Sequence, residues 1–191
     1  MKVEQFVMAY RVEQDRLRAM LPQGFTSLRP VLRMNAEVRD DEVGYVEFNT
    51  AAEKCGVRGW LNIAHWENIP FTRDGKTVEF KMPFLTLSFT GVGIEGSCPA
   101  ESDNNGCFFV GEGSEHIRPT EIITSNREFC DCEFAWSFTP TDAHGVSVGK
   151  IIPAYMTEVQ NVYEKQALTP QNAAAIPCEL VLGSYKTIFE R

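Results

Sequence analysis

Five side chains have the types and spacing for acid–base and anion-binding chemistry: Arg29, Arg33, Glu37, Glu47 and Lys81. In segment 28–38, Leu28, Pro30, Leu32, Met34, Ala36 and Val38 alternate with Arg29, Arg33, Asn35 and Glu37, interrupted only by Val31. Side chains of a strand alternate between its faces, so the charged set leaves one side of one ribbon. Glu47 leaves the next strand, 43–50, with Tyr45 and Asn49 and opposite Val46 and Phe48. A guanidinium fork matches a carboxylate, and a glutamate accepts or passes a proton. Turned inward, this face is an organic-acid site; turned outward, it is a ladder of paired surface charges. Alternation alone favours the outward ladder, because charged side chains are seldom buried.

The remaining candidates each carry a plainer reading. His65 follows Leu61 and Ile63 in the strand GWLNIAHW, where a hydrogen-bonded core histidine is the default and an acid–base role the alternative. His116 and His144 fall in segments that read as surface loops. Cys130 and Cys132 share one face of a strand with Phe134 and Trp136. Two thiols at that spacing could ligate a metal, but no second pair completes a zinc site, and free cysteine packs as a small hydrophobe. The expectation is burial without a metal. Gly91-Val92-Gly93 and Gly111-Glu112-Gly113 open no helix and carry no Lys-Ser/Thr ending, so they read as bulges or turns and not as phosphate loops. No GxSxG elbow is present.

The elements that must position these groups are mostly strands. Besides 28–38 and 43–50, runs near 2–9, 58–66, 77–82, 84–92, 107–111, 127–138, 145–152 and 179–189 have strand patterning. A short helix is predicted over 12–21, closed by Pro22 and Gly24, and another over 170–175, capped by Thr169 with Pro170 first. Turn-rich segments 96–106 and 111–119 have the composition of loops at the mouth of a site. The fold class is therefore mainly β with a few short helices, a closed or partly closed antiparallel barrel in a single domain spanning 1–191. Such barrels can be wide enough to hold a ligand among inward polar side chains.

Composition narrows the partners. The chain has 191 residues and a net charge of −8, with no run of Lys and Arg. That field repels nucleic acid and anionic membrane surfaces. No apolar run has the length of a secretory signal core or of a membrane span, so the cytoplasm is the expected location and the six cysteines are expected to be free thiols. A homo-oligomer is compatible with all of this, and no cofactor is implied.

A resemblance adds to this reading. Tyr10-x-Val12, Leu17, Leu21-Pro22-x-Gly24-Phe25 and the strand Arg29-Pro30-Val31-Leu32-Arg33 resemble the opening of the acetoacetate decarboxylase-like superfamily, over roughly residues 6–50. There a short helix ends in a Leu-Pro turn and feeds a strand of a β-barrel with a central cavity. The resemblance implies that Arg33 helps form the pocket and pairs a carboxylate, with Glu47 the closest acidic group to orient or protonate the ligand. Family decarboxylases form a Schiff base on a lysine in a Phe-Pro-Lys-Lys type segment. This sequence has no such segment: Lys81 precedes Met82-Pro83, and Lys150 stands alone in VGKIIP. The reading is thus a barrel that binds a small, carboxylate-bearing molecule, with Arg29, Arg33, Glu47, Trp60 and His65 as ligand-contacting candidates and Trp60 or Trp66 as an apolar wall. A lyase acting on a keto acid through Lys81 or Lys150, a non-catalytic sensor or carrier, and a filled structural barrel remain alternatives.

Overall fold

A computed structural model describes residues 1–97, 107–110, 115–117, 122–138 and 167–191. The strands are β1 (Lys2–Arg11), β2 (Thr26–Arg39), β3 (Val43–Lys54), β4 (Val57–Ile69), β5 (Phe71–Asp74), β6 (Thr77–Met82), β7 (Leu85–Glu95), β8 (Cys107–Val110), β9 (Glu115–Ile117), β10 (Ile122–Ile123), β11 (Glu128–Trp136) and β12 (Leu180–Glu190). They form one sheet in the order β5-β6-β7-β11-β12-β1-β2-β3-β4-β8-β9, with β10 paired to β12. All pairs are antiparallel except β4 with β8. Four residues separate Ile117 of β9 from Ile122 of β10, and β10 lies on β12. The far edge is thereby returned towards β12, and the sheet curls into a partly closed barrel. The predicted strand over 145–152 lies outside the described residues.

Alternation gives β2 two buried faces, which the expected surface ladder would not. Leu32, Met34, Ala36 and Val38 join Phe6, Met8, Val46 and Phe48 in the main apolar core. The outer strands fold over that side: Phe6 stacks on Phe89, and Phe80 meets both rings edge-on. Trp136 of β11 reaches Phe48 of β3. Arg33, Asn35 and Glu37, on the opposite face, are only 3%, 0% and 1% exposed. Val7, Ala9, Val31, Ala51, Trp60 and Tyr185 form a smaller apolar cluster on that side. Alternation therefore separates a dry core from a polar one across the same strands.

The helices are shorter than predicted. Helix α1 runs Gln14–Met20, because the Glu13 side chain accepts hydrogen bonds from the backbone N–H groups of Asp15 and Arg16 and caps the first turn. At its end Leu21 is extended, as a residue before proline favours. Helix α2 (Pro170–Ala174) starts as expected, with the Thr169 side chain accepting from the N–H of Asn172. No helix among the described residues is long and apolar enough to cross a membrane.

Candidate functional site

Register brings the polar face together. Arg33 pairs with Asn49, which pairs with Asn62; Asn35 pairs with Glu47, which pairs with His65; Glu37 pairs with Tyr45. Asn35, Glu47 and His65 thus form one row across three strands, and directly opposed side chains of this kind have Cβ atoms about 5 Å apart. Ala9 of β1 pairs with Arg33 and Gly183 of β12 pairs with Ala9, so the row continues from Arg33 in small residues.

Glu47 is the hub. Its Oε1 accepts from Asn35 Nδ2 at 2.5 Å and from Asn49 Nδ2 at 3.1 Å, and its Oε2 accepts from the Tyr45 hydroxyl at 2.9 Å. Burial pushes its carboxyl above the ordinary range, and the negative charge of Glu37 adds to the effect. The Tyr45 hydroxyl, Arg33 and Asn35 pull the other way without reversing it. Tyr45 is raised as well, by burial first and then by Glu47. Glu37, by contrast, is fully engaged: Arg39 meets Oε2 at 2.7 Å, Arg191 meets Oε1 at 3.1 Å, and Gln5 donates to Oε1 at 3.0 Å. Arg39 also lies over the Tyr45 ring at 3.8 Å.

These groups border a pocket of about 270 Å³ lined by Gln5, Tyr45, Glu47, Asn62, His65, Phe108, Val110 and Arg191. Arg33 sits deeper, with its guanidinium 4.5 Å over the Trp60 ring. The indole Nε1 of Trp60 and Oδ1 of Asn35 are buried and have no hydrogen-bond partner among the described residues, although such groups are normally satisfied.

The remaining candidates differ in where they fall. Arg29 is half-buried near the β2 bulge that separates Ser27 from Leu32 in register. His65 is not a core histidine. The β3–β4 register shifts between Phe48 and Asn49, so Ile63 is the extra residue and His65 joins Asn62 on the pocket side, exposed at its mouth. The same shift leaves Trp66 on the apolar side, against Phe84 and Trp136, so Trp60 alone of the two tryptophans belongs to the polar face. Lys81 is separated from the others: its side chain is 54% exposed on β6 and its ammonium is 3.9 Å from Glu79. Schiff-base lysines are activated by a desolvated pocket or a neighbouring cation, and β6 offers Lys81 neither. Lys150 lies outside the described residues, and no lysine is among the described residues lining the pocket.

Cys130 is buried and Cys132 half-buried on the apolar side, and burial pushes both thiols up to about 12. Among the described residues no three metal-ligating side chains gather. Gly91 adjoins an irregularity in the β7–β11 register, and Gly93 takes a φ of +75° there while its N–H donates to Glu128, as the bulge reading expects. Sequence reasoning missed Tyr45, Asn49, Asn62, Gln5, Arg39 and Arg191 as parts of the site. Tyr45 and Asn49 were visible by parity with Glu47; Arg191 arrives only through the long-range pairing of β12 with β1.

The architecture has solved counterparts. Acetoacetate decarboxylase from Legionella pneumophila superposes with a TM-score of 0.65 at 11% identity, covering 99% of this chain and 82% of that one. An acetoacetate decarboxylase-like enzyme from Sphingomonas wittichii superposes at 0.58 with 9% identity, covering 98% and 87%. The enduracididine biosynthesis enzyme MppR in complex with pyruvate superposes at 0.53 with 12% identity, covering 98% and 84%. No family model matches the sequence, and no curated protein matches it. The chain has the acetoacetate decarboxylase-like fold.

Proposed function

We propose that this barrel binds a small organic acid, with Glu47 presenting a protonated carboxyl to the ligand and Arg33 and Arg191 supplying the positive field that draws its carboxylate. One observation carries the reading: the charged side of β2 and β3 is buried, and Tyr45 and Glu47 of β3 line a pocket of about 270 Å³. Sites for drug-sized ligands are typically about 300–1,000 Å³, so this one suits a metabolite of a few carbons. A carboxyl shifted toward its neutral form can donate a hydrogen bond to a carbonyl or carboxylate oxygen. The fold shared with MppR, which has been seen with pyruvate, supports keto acids as the first probes.

The placement of Lys81 favours binding without a Schiff base. Borohydride reduction in the presence of pyruvate or acetoacetate is expected to leave Lys81 unlabelled. Binding itself is tested by calorimetric titration of both acids into the wild-type protein and into Arg33→Met. The reading predicts saturable binding to the wild type and at least about tenfold weaker binding to the variant, a loss of about 1.4 kcal/mol. Equal affinity of the two proteins, or none across a panel of short keto and hydroxy acids, contradicts it.

A further inference from the structure

The hydrogen bonds around Glu47 continue outward and fix a group that its role as a binding carboxyl does not use. Asn49 donates Nδ2 to Glu47, so its Oδ1 is turned to Asn62. Asn62 donates Nδ2 to that Oδ1 at 2.9 Å and to the backbone carbonyl of Ala64 at 3.1 Å. Two carbonyl acceptors on one side of the Asn62 amide leave no choice of orientation, since a flipped amide would set oxygen against oxygen. Its Oδ1 therefore faces His65 Nδ1, at 3.2 Å. An amide oxygen only accepts, so Nδ1 must carry the hydrogen. The neutral imidazole then has its lone pair on Nε2. The His65 ring is also stacked on Tyr45, with centroids 6.2 Å apart. Both His65 and Glu47 line the pocket, on opposed register positions.

We propose that His65 is a catalytic base, held as the Nδ1–H tautomer by Asn62, and that with Glu47 it enolises a bound keto acid without a lysine. This rests on the organic-acid reading of the same pocket. In the step, a C–H bond next to the ketone breaks and its proton passes to His65 Nε2. The freed electron pair forms the carbon–carbon double bond, and the carbonyl oxygen takes the Glu47 proton to become the enol hydroxyl. Glu47 is left as a carboxylate that accepts from Asn35, Asn49 and Tyr45. Reversal returns both protons, so the net result in heavy water is exchange of hydrogen for deuterium. Asn62 acts as a positioning residue.

Two measurements test the proposal. Long-range proton–nitrogen NMR of the 15N-labelled protein, with His65→Gln to assign the ring, is expected to show neutral His65 as the Nδ1–H form. The opposite tautomer, which dominates in free histidine, would overturn the relay. Exchange of the pyruvate methyl protons in deuterium oxide is expected with the wild type and reduced about 100-fold or more in His65→Gln, the usual size of a general-base contribution. Asn62→Ala is expected to lower kcat for exchange with KM nearly unchanged, and to shift the His65 tautomer. Pyruvate bound without exchange, exchange untouched by His65→Gln, or a lysine labelled by borohydride during exchange each overturns the enolisation while leaving the binding reading intact. No pyruvate binding at all removes both.

Discussion

Two glutamates ten positions apart share one buried face and differ in their company. Glu37 is held by Arg39, Arg191 and Gln5, whereas the donors to Glu47 among the described residues, Asn35, Asn49 and Tyr45, are neutral. Removing the charge from Glu37 takes a shared carboxylate away from Arg39 and Arg191. Glu37→Gln is therefore expected to destabilise the fold by about 1.5–3 kcal/mol in urea unfolding, the usual worth of hydrogen bonds to a charged group, since both arginines keep part of their surface in water. Glu47→Gln should behave oppositely with pH. The native carboxyl holds its proton above the ordinary value of 4.5, so above that value the unfolded chain sheds the proton first. Wild-type stability then falls as pH rises, until Glu47 ionises in the native state too. The amide, which does not titrate, is expected to gain stability relative to the wild type as pH rises above 4.5; a constant offset in melting temperature would show that Glu47 is not shifted. Parity in the sequence was enough to put Arg33, Glu37 and Glu47 on one face. It could not show the inward direction, because charge pattern is the same for a solvent ladder and a wet interior. It misplaced His65 because a single extra residue, Ile63, reverses the alternation.

At the scale of elements, the strand periods in β1, β2, β3, β6 and β11 were legible, as were the Thr169 cap and the Leu21-Pro22 stop. The short strands β5, β9 and β10 were not, because two to four residues carry no readable alternation. The pocket wall depends on the one parallel pairing. Phe108 and Val110 line the pocket from β8, and β8 approaches β4 at Gly59. A Cβ on Gly59 would lie 2.5 Å from the carbonyl oxygen of Cys107, backbone that cannot swing aside. Gly59→Ala is expected to push β8 outward, destabilising by about 1–3 kcal/mol and weakening keto-acid binding several-fold. Undiminished affinity by calorimetry would mean that β8 is not a wall of the site.

For the whole molecule, one sheet serves two interiors: an aromatic core between β1–β3 and the β6-β7-β11 strands, and a polar core on the reverse of the same strands. Composition and strand count made a barrel legible. The division of labour between faces was not, since it depends on which strands curl over which side, and that is set by pairings such as β1 with β12 across the length of the chain. The polar interior is proposed to receive a small carboxylate. A crystal soaked in pyruvate tests it most directly. Density is expected in the pocket within hydrogen-bond distance of Glu47, with the pyruvate carboxylate turned toward the arginines. A pocket that holds only water beside Glu47 at saturating pyruvate would contradict it.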